Sequence, residues 1–124
     1  MTTQNPDTRF SGRWIGETQG CEMPAHIWEI AQHGTLLVIS MRWENESSAS
    51  RMNARVLADE PAFTIGDHKA TLVDPQHFII PEWDTNDTRG GEGLAYDVVF
   101  SRPGIAELTA GAVWRRARGL VRSP

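Results

Sequence analysis

A single cysteine, Cys21, is too few for an intrachain disulfide, so the chain is no disulfide-stapled scaffold and fits a reducing compartment. No apolar run approaches the length of a membrane-crossing helix, which argues against a membrane partner. Positive charge is scarce: 12 Lys and Arg stand against 16 Asp and Glu, for a net charge of −4, and neither sign is blocked. Nucleic-acid binding needs a concentrated basic surface, and the one small cluster, Arg115, Arg116 and Arg118 with Arg122, falls short of it. The first residues carry neither a basic n-region nor an apolar h-region, so the expected location is cytoplasmic. Four histidines, His26, His33, His68 and His77, lack metal-ligand spacing, and no phosphate loop, dinucleotide fingerprint or nucleophile elbow is present. No metal and no cofactor is expected. Internal repeats, low-complexity segments and amphipathic helices are also missing.

What is present is a succession of short extended runs. The length of 124 residues suits one domain, read as 1–124 with a loose lead-in at 1–9 and a tail at 117–124. Extended segments are predicted over 12–20, 26–32, 35–44, 50–58, 62–65, 69–73, 77–83, 94–101 and 105–116. The third shows the period most plainly: Leu37, Ile39, Met41 and Trp43 share one face, while Ser40, Arg42 and Glu44 share the other. His33-Gly34, Gly66-Asp67, Asp74-Pro75 and Pro103-Gly104 supply turns. Pro81 removes one ladder donor, so the segment carrying it is an edge, bulged or splayed. Eight or nine strands joined by tight turns indicate an all-β fold, a single antiparallel up-and-down β-barrel or a sandwich.

Five Trp in so short a chain suggest a lined cavity or interface, because each pairs a large apolar body with one N–H. The stretch Phe10-Ser11-Gly12-Arg13-Trp14 resembles the F-x-G-x-W opening of the lipocalins and, more broadly, of the calycin superfamily. The resemblance implies a barrel closed at one end over Trp14, with a basic residue from the final strand lying across the indole. Alternation along 105–116 selects Arg116 for that clasp. The similarity rests on the two ends; the chain is shorter than a typical lipocalin and lacks its paired cysteines and aspartate–tyrosine motif. Its size is nearer to avidin-like and fatty-acid-binding-like members.

Taking the apolar faces as inward, the interior is lined by Trp28, Met41, Trp43, Met52, Val56, Tyr96, Phe100, Leu108 and Trp114, with His26 at a rim. Met among rigid aromatics suits a small, largely hydrophobic or aromatic ligand. The alternatives are an enzyme on the same barrel (a cyclase, isomerase or hydrolase working by acid–base chemistry through His26, Tyr96 or Asp84) and an interaction domain with a filled core. Self-association as a homodimer is left open. The segment 84–93 concentrates Asp84, Asp87 and Arg89 before Gly90-Gly91 and reads as irregular. Two arguments about it conflict. Its composition suits a loop over the open mouth. Strand alternation, with 105–116 as the final strand, instead puts Gly93 at the sealed end, and this second argument is the stronger.

Overall fold

A computed structural model describes residues 8–87, 93–104 and 113–115, with the backbone alone at 86, 87 and 93. It is an all-β structure in which eight strands run in sequence order around a closed antiparallel barrel. They are β1 (Gly12–Thr18), β2 (His26–His33), β3 (Leu36–Trp43), β4 (Ser50–Val56), β5 (Ala62–Ile65), β6 (His68–Asp74), β7 (His77–Asp87) and β8 (Gly93–Ser101). The apolar alternation read along the chain becomes the inward face: Trp14, Trp28, Ile30, Leu37, Ile39, Phe63, Ile65, Phe78, Ile80, Val98 and Phe100 form one buried cluster. Gly34, Gly66 and Gly104 take positive φ at the tight turns, where glycine alone carries no side-chain penalty.

The barrel closes between β1 and β8, with Ile15 opposite Ser101 and Thr18 opposite Val98. This corrects the expected final strand. There is no ninth strand among the described residues, and 113–115 are helical. Val113 instead covers Ile79 and Val99 on the outer wall, with Trp114 packed against them and its Nε1 donating to Asp97 Oδ2 at 2.8 Å. Trp114 therefore lies outside the barrel, not in its interior, while Leu108 and Arg116 fall outside the described residues.

The sealed end is a plug of aromatic rings. Phe10 meets Phe63 edge-on at 4.9 Å, Trp14 meets Phe78 at 4.6 Å, and Phe78 stacks on Phe100 at 4.7 Å. Trp14 Nε1 donates to the Phe10 carbonyl at 2.9 Å, so the buried indole N–H is satisfied. A cation does cross Trp14, as the resemblance implies, but it is Arg102: its guanidinium carbon lies 4.0 Å from the ring centroid. The same guanidinium donates to the carbonyls of Ser11 and Arg9, tying the residue after β8 to the segment that leads into β1. Burial lowers the Arg102 pKa below its ordinary value by penalising the charged form. With β8 ending at Ser101 and Arg102 lying on Trp14, Pro103-Gly104 marks the sealed end, not the open one.

The position of 84–93 changes for the same reason. Because β8 itself closes antiparallel on β1, it begins at the open end, and the premise that put Gly93 at the sealed end is gone. Nor is the whole segment irregular: Asp84, Thr85, Asn86 and Asp87 pair with Tyr96, Ala95, Leu94 and Gly93. Arg89 lies outside the described residues, as does the Asp87 side chain.

Candidate functional site

The sequence of β7 contains the device that builds the site. Its register with β8 runs evenly to Ile80 opposite Val98, then jumps to Asp84 opposite Tyr96. Three residues of β7, Pro81 to Trp83, thus stand opposite the single Asp97 of β8. Pro81, which has no N–H to give to a ladder, sits in the bulge, and the next residue, Glu82, takes a φ of 56° that side chains seldom adopt. The Glu82 N–H, displaced from the ladder, donates to Asp97 Oδ1 at 3.1 Å. The bulge turns Trp83 against the core and leaves Asp84 pointing inward beneath the open mouth. His68 supports it from β6, with Nδ1 at 3.4 Å from the Pro81 carbonyl and its ring edge-on to Trp83 at 5.0 Å.

Asp84 meets His26, the first residue of β2. His26 Nε2 lies 2.8 Å from Asp84 Oδ2, and each residue is only 6% exposed. Thr18, the last residue of β1, donates its hydroxyl to the same carboxylate oxygen. Both bonds fall on Oδ2, so Oδ1 takes none from the described residues. As the donor to a carboxylate, Nε2 carries a proton, and in the neutral imidazole Nδ1 is then a lone-pair acceptor. His77 Nε2 is the one described side-chain polar atom both sealed from solvent and without a partner. His26 Nδ1 makes no hydrogen bond to the described residues, and the ring walls the mouth cavity.

The rings complete the site. His26 lies over Trp43 at 4.3 Å, Trp28 meets Trp83 edge-on at 5.4 Å, and Trp28 packs on Phe100 at 4.3 Å. Above them is a cavity of about 340 Å³ walled by His26, Trp28, Met41, Trp43, Trp83 and Asp84, with Arg42, Glu46, Ser48 and Ser50 at its lip. The guanidinium of Arg42 is held by backbone, its Nη1 donating to the carbonyls of Trp43 at 3.3 Å and Glu46 at 3.1 Å. A second hollow of about 390 Å³ lies over β1–β4 between Arg13, Glu29, His33 and Arg51, but of these four none is buried. Of these two hollows, the mouth cavity is the one lined by a buried carboxylate.

Of the residues singled out in the sequence, Trp28, Met41, Trp43, His26 and Asp84 converge on this cavity. Phe100 lies beneath it in the plug. Met52 shares the inward phase but is 37% exposed and does not reach the cavity. Tyr96 is opposite Asp84 across the ladder but half-buried and away from the cavity wall. Trp83 and Thr18 were missed. Trp83 lies out of phase with the inward residues of β7 until the bulge reverses it; Pro81 was the available sign. Among the described residues no cluster of His, Cys, Asp and Glu could hold a metal ion, and no helix is long and apolar enough to cross a membrane.

No protein-family model matches the chain, and no curated protein does.

Proposed function

We propose that this chain is a calycin-like binding barrel that takes one small, largely aromatic molecule into its open end. The observation that carries this reading is a barrel filled for half its depth. The rings of Phe10, Trp14, Phe63, Phe78 and Phe100 occupy the sealed half, and the mouth retains about 340 Å³ under three indoles and Met41. That volume lies within the range of small-molecule sites, roughly 300–1,000 Å³. The Phe10-x-Gly12-x-Trp14 opening with a guanidinium across the indole supports the calycin likeness, with Arg102 in the place the sequence suggested for Arg116.

A neutral naphthalene fluorophore tests it, read by energy transfer from Trp. Saturable binding that weakens in Trp83→Ala and Trp43→Ala is expected, because both indoles wall the cavity. Saturable binding unchanged in both variants would place the ligand elsewhere, and no saturable binding would remove the reading.

The contact between His26 and Asp84 favours a second reading, an enzyme on the same barrel. A carboxylate that fixes the tautomer of a histidine whose other nitrogen faces a cavity is an arrangement for accepting a proton from a bound substrate. It would be separated from binding by a turnover that His26→Gln abolishes while ligand affinity persists.

A further inference from the structure

We propose that the mouth cavity selects an organic ammonium ion, a protonated amine carried on a flat apolar frame. The inference rests on the binding reading above and names the ligand class of that site. It starts from charge. Asp84 is buried, and its only ionisable partner among the described residues is His26. We take His26 in its neutral form, with Nε2–H donating to Asp84 Oδ2; Asp84 then keeps a negative charge that two hydrogen bonds to Oδ2 stabilise without cancelling. A buried charge without an opposite charge is costly, and a bound cation removes that cost. The one guanidinium in the cavity lining, Arg42, is committed to the carbonyls of Trp43 and Glu46. Glu46 adds a second carboxylate at the lip.

The acceptors and the rings agree with the charge. Asp84 Oδ1 and His26 Nδ1 both lack donors, so a ligand offering several N–H groups finds partners where one offering only acceptors does not. Trp28, Trp43 and Trp83 present indoles around the same space, and indole is the side chain whose face attracts a cation most strongly. A carboxylate ligand would meet Asp84 and Glu46 with like charge. A neutral alcohol would satisfy one acceptor and leave the charge in place.

Three probes on one frame decide this: 2-phenylethylamine, 2-phenylethanol and 3-phenylpropionate, titrated by calorimetry against the full chain at neutral pH. The amine is expected to bind about tenfold tighter than the alcohol, the size of one desolvated cation–π contact, with the carboxylate weakest. Asp84→Asn keeps the shape and an acceptor for Thr18 and His26 but removes the charge, and should bring amine and alcohol together. Trp83→Leu, which keeps the charge, should weaken the amine more than the alcohol. Equal affinities in the unmodified protein, as expected if His26 already carries the positive charge, would overturn the proposal. So would an amine preference that survives Asp84→Asn. If none of the three binds while the neutral naphthalene does, the ammonium assignment falls and the binding reading stands. If the naphthalene fails too, both fall.

Discussion

Replacing Arg102 should unfasten the sealed end of the barrel. The side chain makes three contacts: its guanidinium covers the Trp14 ring at 4.0 Å and donates to the carbonyls of Ser11 and Arg9. A hydrogen bond to a charged group contributes about 1.5–3 kcal/mol, and a half-exposed site belongs at the low end. A cation over an indole adds about 0.5–1 kcal/mol where water still reaches it. Removing the group therefore costs about 2–4 kcal/mol once partial resolvation of the two carbonyls is allowed for. At this chain length 1 kcal/mol moves the melting midpoint by about 3–6 °C, so Arg102→Ala should melt roughly 10 °C lower. Arg102→Met keeps the apolar stem on the indole and should recover a small part of the loss. Arg102→Lys keeps the charge without the planar fork and should fall between Met and the unmodified protein. Chemical denaturation followed by Trp emission measures each. An Arg102→Ala protein within about 0.5 kcal/mol of the original, the scatter of ordinary surface substitutions, would refute the clasp. Refutation would be complete if Arg116→Ala carried the loss instead.

Two further expectations concern the backbone around the site. A Cβ on Gly16 would lie 2.5 Å from Phe100 Cε2, so Gly16→Ala should cost about 1–3 kcal/mol by overpacking, and Gly16→Ala with Phe100→Leu should recover part of it. Melting of both variants checks this, and an unaffected Gly16→Ala would mean that the β1–β8 seam packs more loosely. Glu82 holds a φ of 56° at the β7 bulge. Glu82→Gly should therefore stay within about 1 kcal/mol of the original, whereas Glu82→Val should be clearly worse, because a β-branched residue resists that conformation.

The fold was readable wherever alternation ran uninterrupted. Leu37, Ile39, Met41 and Trp43 were assigned their shared face from period alone, and His33-Gly34 its turn. The two failures share one physical cause: period-two counting assumes a regular ladder. At 81–83 the bulge breaks the ladder and turns Trp83 inward against its phase, whereas Asp84 keeps the inward phase of Phe78 and Ile80 and belongs to the strand, not to a loop. Near the C-terminus the apolar alternation of Leu108, Ala110, Ala112 and Trp114 predicts a strand reaching 116, and Trp114 departs from it. Yet Ala and Arg, abundant there, rank among the stronger helix formers, and 113–115 are helical. Taking 105–116 as the closing strand reverses the deduced direction of β8, and with it the end of the barrel to which 84–93 belongs, because β8 itself closes on β1. The contact between His26 and Asp84 links residues 58 apart in sequence and depends on both barrel closure and the bulge. No local pattern announces it.

The five indole N–H resonances offer the most direct test of the central claim, a ligand site confined to the open half of the barrel. Trp14 is pinned in the plug by the Phe10 carbonyl, and Trp114 on the outer wall by Asp97. Trp28, Trp43 and Trp83 wall the mouth. In a ¹H–¹⁵N titration with the neutral naphthalene, the signals of Trp28, Trp43 and Trp83 should shift together along one binding curve, with Trp14 and Trp114 unmoved. Shifts led by Trp14 or Trp114, with the other three still, would contradict it.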